Sequence, residues 1–316
     1  MRAVGLTEFG GPDVLRPLQL PVPRPGPGEV RIRVRAAAVT PSDTLIRAGL
    51  LAHRLLEECV EPPFVPGWDA AGVIDALGPD VDDRLAVGDA VVAFVRPIHP
   101  YKGSYAEHIV RPAASVVHAP RHATAFEAST LLVNGVTAHL ALQLLQLVPG
   151  QSVAVTGAAG SYGGFVLQLA VERGLTVVAD ASPADVELVR RLGAHHVVPR
   201  GDDVAERVRA VMPHGVHGLV DAALQDGLVL GAVADGGRVV SSRGWSGPAP
   251  RGIEVLPVSA TPSSEDTALL TSLVDRVDSG VLSLRVADVL PLEAAAEAHR
   301  RLEAGGVRGR LVLDLA

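Results

Sequence analysis

The sequence predicts an α/β protein in two parts, a doubly wound parallel sheet inserted into a β-rich, barrel-like domain. Three observations predict it. The chain has 316 residues, more than one ordinary hydrophobic core accommodates. Residues 151 to about 257 alternate short apolar strands with helical segments. The first 120 residues instead read as short strands cut by Pro and Gly. The expected partition joins 1–120 to 259–316 in one domain and leaves 121–258 as the other.

In chain order, strand-like runs occupy 29–39 (EVRIRVRAAAV), 70–78 (AAGVIDALG), 89–95 (DAVVAFV) and 104–112 (SYAEHIVRP). Turn signals at Pro23 to Gly28, Gly78-Pro79 and Gly88-Asp89 separate them, as expected of a barrel-like domain. Residues 123–147 are helix-like, with a break or bend expected near Asn134-Gly135 and a stop at Pro149-Gly150. The runs SVAVTG, TVVADA, HHVVP, GLVDAA and GRVVSS follow. They are nearly continuous in apolar residues, the pattern of a parallel sheet buried on both faces. GIEVLPV (252–258) offers a sixth strand. A helix is expected over about 264–279, then strands and a helix within LRVADVLPLEAAAEAHRRLEAG. The closing run RGRLVLDL reads as a strand that returns to the first domain.

Composition narrows the function. A net charge of -7 argues against nucleic acid or an anionic membrane as partner, since both favour a basic face. No uninterrupted apolar run approaches the roughly 18 residues of a membrane span, and the N-terminus shows no apolar signal-peptide region. With aromatics at 3%, the core must be built from Ala, Val and Leu. The one cysteine, Cys59, cannot close an intrachain disulfide and fits a reducing compartment, so a cytoplasmic location is expected. Glu57, Glu58 and Glu61 beside it would raise its pKa, and it reads as structural or incidental.

The densest chemical signal is SVAVTGAAGSYGGFVLQLAVERG (152–174), a strand, a glycine loop and a helix in immediate succession. Gly157, Gly160 and Gly163 are spaced GxxGxxG. Glycines there permit a tight turn and a close backbone approach to a pyrophosphate, and the helix N-terminus supplies N–H donors and a positive dipole end. This is a Rossmann dinucleotide site by context, because a second strand ends at Asp180, where an acidic residue meets ribose. The expected cofactor contacts are the whole loop (Gly157, Ala158, Ala159, Gly160, Ser161, Tyr162, Gly163), with Asp180, Ala181, Ser182, Arg200, Ala222 and Thr137. Tyr162 is expected near the pyrophosphate or as packing.

Cofactor choice is balanced. A carboxylate at Asp180 accepts from a ribose 2′-OH and repels a 2′-phosphate, which favours NADH. Ser182, and Arg200 after the third strand, favour the 2′-phosphate of NADPH. Asp180 has an alternative task, capping the helix that opens at Pro183. On this reading Asp180 turns away and NADPH is the cofactor, with NADH the alternative.

The chain resembles the zinc-independent quinone-oxidoreductase branch of the medium-chain dehydrogenase/reductase superfamily. The resemblance spans essentially the whole chain and rests on PGWDAAGVIDALG (66–78), GSYAEHIV (103–110), NGVTAHLAL (134–142), VTGAAGSYGG (155–164), RRLGA (190–194) and GGVRGRLVL (305–313). It implies a GroES-like catalytic domain made from both chain ends, an inserted Rossmann domain, homodimers, and hydride transfer from a nicotinamide in the cleft. Zinc-bearing relatives place Cys, His and Cys where this chain has Thr40, Trp68 and Val133, none of them a zinc ligand. The pair His195-His196 starts a strand, points to opposite faces and reads as non-metal.

Without a metal, carbonyl polarisation falls to hydrogen bonds. Relatives present Asn and Tyr around the nicotinamide, whereas this chain has Thr40 at the Asn position and Leu45 and Leu51 where tyrosines often stand. Thr40 and Thr137 are the remaining hydroxyl candidates, and Trp68 is a candidate flat wall. Each has a plainer role: Thr40 satisfying local backbone, Thr137 back-bonding within a helix, Trp68 filling core. Asp43 reads as a buried anchor before a general acid. The main reading is an NADPH-dependent reductase of quinones, enones or related small electrophilic carbonyls. Two alternatives stay open: a cofactor-binding sensor or structural protein, and a tailoring enzyme with a non-redox step.

Overall fold

The computed structural model describes residues 1–58, 60–98, 102–245 and 247–316, and Cys59 lies outside them. The chain divides into two compact units. One holds Met1–Val133, Thr261–Ser279 and Leu284–Ala316; the other holds Asn134–Ala260 and Gly280–Ser283.

In the first unit, β1 (Arg2–Gly5) and β2 (Arg16–Gln19) form an antiparallel pair. Strand β3 (Glu29–Ala38) alternates as a half-buried strand should: Val30, Ile32, Val34 and Ala36 are buried, while Arg33 and Arg35 are exposed. Helices α1 (Pro41–Arg47) and α2 (Ala52–Glu57) follow, where the sequence reading had placed no element. The missed start signal is Thr40-Pro41, a capping residue followed by Pro at the first helical position. Strands β4 (Asp69–Leu77), β5 (Ala90–Phe94), β6 (His108–Pro112) and β7 (Val116–His118) complete this stretch. Strand β6 starts four residues later than expected because Tyr105 is tied elsewhere: its carbonyl accepts from Val4 and its N–H donates to Pro66.

The expected helix over 123–147 is two helices, α3 (Ala125–Ala128) and α4 (Leu132–Leu145). The break falls at 129–131, not at Asn134-Gly135. Ser129 and Thr130 turn their hydroxyls back onto the Phe126 and Glu127 carbonyls, each at 2.8 Å, the competition that interrupts helices. Residues 121–133 cluster with the first unit rather than with the second, because α3 packs on β3 and β4. Ala125–Leu145 is also long and apolar enough for a membrane span by composition, unlike the sequence-based expectation. Its most apolar stretch is 67% buried within the protein, as a core helix is.

The second unit carries β8 (Ser152–Thr156), α5 (Ser161–Glu172), β9 (Thr176–Ala181), α6 (Val186–Arg191), β10 (His196–Pro199), α7 (Val204–Val211), β11 (Val216–Asp221), β12 (Val233–Ser241) and β13 (Glu254–Pro257). All pairings are parallel, in the order β10-β9-β8-β11-β12-β13. This is the doubly wound order in which ligands meet the carboxyl edge where the winding reverses, between β8 and β11. Every residue of β8 is buried.

The chain then returns to the first unit with α8 (Thr267–Asp278), β14 (Val286–Pro291), α9 (Ala295–Ala304) and β15 (Arg310–Asp314). Strand β15 joins β14 in parallel and β3 antiparallel, in a sheet ordered β14-β15-β3-β4-β5-β7 with β6 also on β3. The terminal strand therefore rejoins the first domain, as its sequence indicated.

Candidate functional site

In the second unit the three glycines of the loop are fixed by three different constraints. Gly157 sits at φ +64, a left-handed conformation that favours glycine. A side chain at Gly163 would put Cβ 2.4 Å from the Gly157 carbonyl oxygen. Gly160 is the N-cap of α5 and contributes no side-chain cap, so the first turn of a twelve-residue helix presents its backbone at the switch point, as an anion site requires. Ala222 follows β11 and lies 3.1 Å from where a Gly157 Cβ would stand. Asn134 donates to the Ser161 hydroxyl at 3.1 Å, and Thr137 is a half-buried residue of α4.

The residues expected around the adenosine ribose come together at the carboxyl ends of β9 and β10. Arg200 donates its backbone N–H to the Ala181 carbonyl at 3.0 Å, and its exposed side chain follows directly. Asp180 does not turn away to cap the Pro183 segment, which corrects the sequence reading. Its Oδ1 accepts the Ala158 N–H at 3.2 Å, inside the glycine loop, and no side chain caps the backbone N–H groups of the Pro183 segment. Asp180 Oδ2 is buried and has no partner among the described residues. Burial raises the Asp180 pKa, while the Ala158 N–H and the Arg200 charge oppose the rise. The Ser182 hydroxyl donates to Asp185 at 2.5 Å, so its proton is committed. The Tyr162 hydroxyl is buried without a hydrogen-bond partner among the described residues, and burial raises its pKa.

In the first unit, Thr40 and Asp43 form a capping box at α1. Asp43 Oδ2 accepts from the Thr40 N–H at 2.7 Å and from the Thr40 hydroxyl at 2.9 Å, and Oδ1 accepts from Gly67 N–H at 2.7 Å. The Thr40 proton is therefore spent on Asp43, and both Asp43 oxygens anchor backbone. Gly67 sits at φ +114, and a Cβ there would stand 2.1 Å from Ser104 Oγ. Trp68 is buried with its indole N–H unpartnered among the described residues. Next to it, Asp69 Oδ1 accepts the Val133 N–H at 2.9 Å and caps the start of α4.

A buried guanidinium, Arg310 at the start of β15, lies within electrostatic reach of both carboxylates. Burial lowers its pKa, and Asp69 and Asp43 raise it. Burial pushes Asp43 up to about 6 and Asp69 up to about 7, against the pull of Arg310 on each. Tyr105 lies against Asp43 and is raised well above its ordinary value by burial, and its hydroxyl is 3.2 Å from His299 Nε2. Burial holds His299 down to about 3, with Arg47 adding to the fall. Sequence reasoning missed Asp69, Tyr105, His299 and Arg310, which are separated by up to 241 positions. It also missed Thr156, whose hydroxyl donates to Asp221 at 2.6 Å across the switch point.

The donor chemistry at the three positions does not suit zinc. Thr40 has a committed hydroxyl, the Trp68 indole nitrogen only donates, and Val133 has an alkyl side chain. Among the described residues no three His, Cys, Asp or Glu stand as a metal-holding group. His195 Nδ1 instead accepts the Val177 N–H at 3.1 Å.

Residues 26–121 match the alcohol dehydrogenase GroES-like domain family, and residues 192–313 match the zinc-binding dehydrogenase family. A 2-haloacrylate reductase from a Burkholderia species is 32% identical, covering 86% of each chain. Human quinone oxidoreductase is 30% identical, covering 100% of this chain and 98% of its own. An NAD-dependent alcohol dehydrogenase structure superposes with a TM-score of 0.89 at 31% identity over the full length of both chains. A mycobacterial protein solved with NADPH superposes with a TM-score of 0.85 at 29% identity, covering 99% of this chain and 100% of that one.

Proposed function

The chain belongs to the quinone-oxidoreductase-like branch of the medium-chain dehydrogenase/reductase superfamily, and within it we propose a zinc-free, NADPH-dependent reductase of quinones, enones or similar small electrophilic carbonyls. The observation that carries the reading is the glycine loop at the switch point. There a Cβ at Gly163 would fill the cradle and the α5 N-terminus has no side-chain cap.

The bound nicotinamide supplies the hydride. The chain's own residues hold and orient: Gly157–Gly163 receive the pyrophosphate against the helix dipole. Asp180 keeps the loop backbone in place through Ala158. Arg200, exposed just after the carboxyl end of β10, would supply a charged hydrogen bond to a 2′-phosphate. The relative solved with NADPH supports this choice, and the NAD-dependent one, with Asp180, supports the alternative.

With the Thr40 proton bound to Asp43, the described first-unit residues at the Asn and Tyr positions of relatives offer no free hydroxyl. Protonation of the reduced acceptor is accordingly assigned to water. An already electrophilic acceptor needs less polarisation than a simple ketone, which is why quinones and enones fit better than alcohol–ketone pairs. We further assign a cytoplasmic homodimer. The test is NADPH oxidation by chelator-treated protein, with and without a quinone or an enone. Acceleration by either acceptor is expected. Tight NADPH binding with no acceptor-dependent oxidation would favour a cofactor-binding sensor instead.

A further inference from the structure

Thr40, the Gly67–Trp68 corner and Val133 come from three separate stretches of chain, and each is fastened to the same buried charge cluster. Asp43 holds Thr40 and Gly67 through three hydrogen bonds. Asp69, the residue after Trp68, holds Val133. Trp68 therefore sits between two clamps, Gly67 N–H on Asp43 before it and the Asp69 carboxylate after it.

One cation joins these clamps. Arg310 is 6% exposed, interacts electrostatically with both carboxylates, and its Nη1 donates to the Val39 carbonyl at 3.4 Å, directly before Thr40. Strand β15 is locked to the same place, since Val39 N–H donates to Leu311 at 2.8 Å. Two buried carboxylates without a cation would repel each other and lose their geometry. Tyr105, beside Asp43, and the neutral His299 hydrogen-bonded to it adjoin the cluster.

We propose that Arg310 is a positioning residue for the reaction, setting Thr40, Trp68 and Val133 in register through Asp43 and Asp69. A buried ion cluster thus does in this chain the organising work that a bound metal does when its ligands come from three separate segments. The inference rests on the assignment of these positions to the substrate side of the proposed reductase.

The sequence contains two tryptophans, so a Trp245→Phe background leaves Trp68 as the sole reporter of the corner. In that background Trp68 emission is expected to be blue-shifted and shielded from acrylamide. Arg310→Met is expected to raise acrylamide quenching of Trp68 at least threefold and lower kcat at least tenfold. The NADPH Kd, set by the glycine loop, stays within twofold. Arg310→Lys keeps the charge but loses the planar fork that can serve two carboxylates, and is expected to fall between wild type and Met on both readouts. A folded Arg310→Met protein that loses only thermal stability, with native Trp68 quenching and kcat, would overturn the proposal. If the Met variant does not fold, the Lys variant decides, and native quenching and kcat there overturn it equally. Absence of acceptor reduction in wild type defeats the proposed reductase alone, because the Trp68 measurements require no turnover.

Discussion

Asp180 Oδ1 accepts the Ala158 N–H at 3.2 Å, linking the end of the second parallel strand to the glycine loop that follows the first. The carboxylate that faces an adenosine ribose in related folds is here also a support of the glycine loop, and its second oxygen is buried with no partner among the described residues. Cofactor choice is therefore set by which group the ribose meets, the second Asp180 oxygen or the Arg200 guanidinium.

For that choice, NADPH is expected to be preferred, and Arg200→Ala to erase the preference. A charged hydrogen bond to the 2′-phosphate contributes about 1.5–3 kcal/mol, and 1.4 kcal/mol is already about tenfold. The measurement is kcat/KM for both cofactors in wild type and variant. A preference for NADH, or one indifferent to Arg200, assigns the ribose to Asp180.

Gly163→Val should abolish NADPH binding. The new Cβ would stand 2.4 Å from the Gly157 carbonyl oxygen and 3.0 Å from the Ala158 Cα, so the loop itself must move. The parallel strands and their pairings do not involve Gly163, so far-UV circular dichroism should stay native while fluorescence titration shows no binding. Native NADPH affinity in the variant would refute this placement of the phosphate cradle.

The chain should be a dimer through β13. That strand pairs on one side with β12 and is the edge of the six-stranded sheet, with Val255 and Leu256 only half-buried, and an apolar edge of this kind favours strand addition. Light scattering at micromolar concentration should give twice the chain mass of 32.7 kDa; the monomer mass would contradict it.

Stability should fall as pH rises through the range of the buried carboxylates. Folding raises Asp43 to about 6 and Asp69 to about 7, above an unfolded value near 3.9. The folded state therefore binds more protons between about pH 4 and 7. The contribution is fully present below the unfolded value and lost as pH rises through the folded ones. A single such group changes stability by at most about 1.4 kcal/mol per pH unit. Urea unfolding from pH 5 to 8 should show this fall, and Asp69→Asn should flatten it. An unchanged slope in the variant would place the titration elsewhere.

Chelator-free protein should carry no stoichiometric zinc, because the oxygen of Thr40, the donor-only indole of Trp68 and the alkyl of Val133 are poor ligands. Elemental analysis that finds about one zinc per chain would show that other residues bind it.

By itself the sequence determined the alternation that makes the parallel sheet, the sixth strand, the return of the terminal strand to the first domain, and the glycine loop at a strand–helix junction. Apart from the terminal strand's return, which pairs Val312 with Ala38, these are local: hydrophobic period, turn residues and spacing are written within about twenty consecutive positions. Only the tertiary structure decided that Asp180 turns inward to Ala158 and that Arg310 comes within electrostatic reach of Asp43 and Asp69. The physical reason is that a buried charge is tolerated only beside its partner. Folding alone brings Arg310 to a carboxylate 267 positions earlier in the chain.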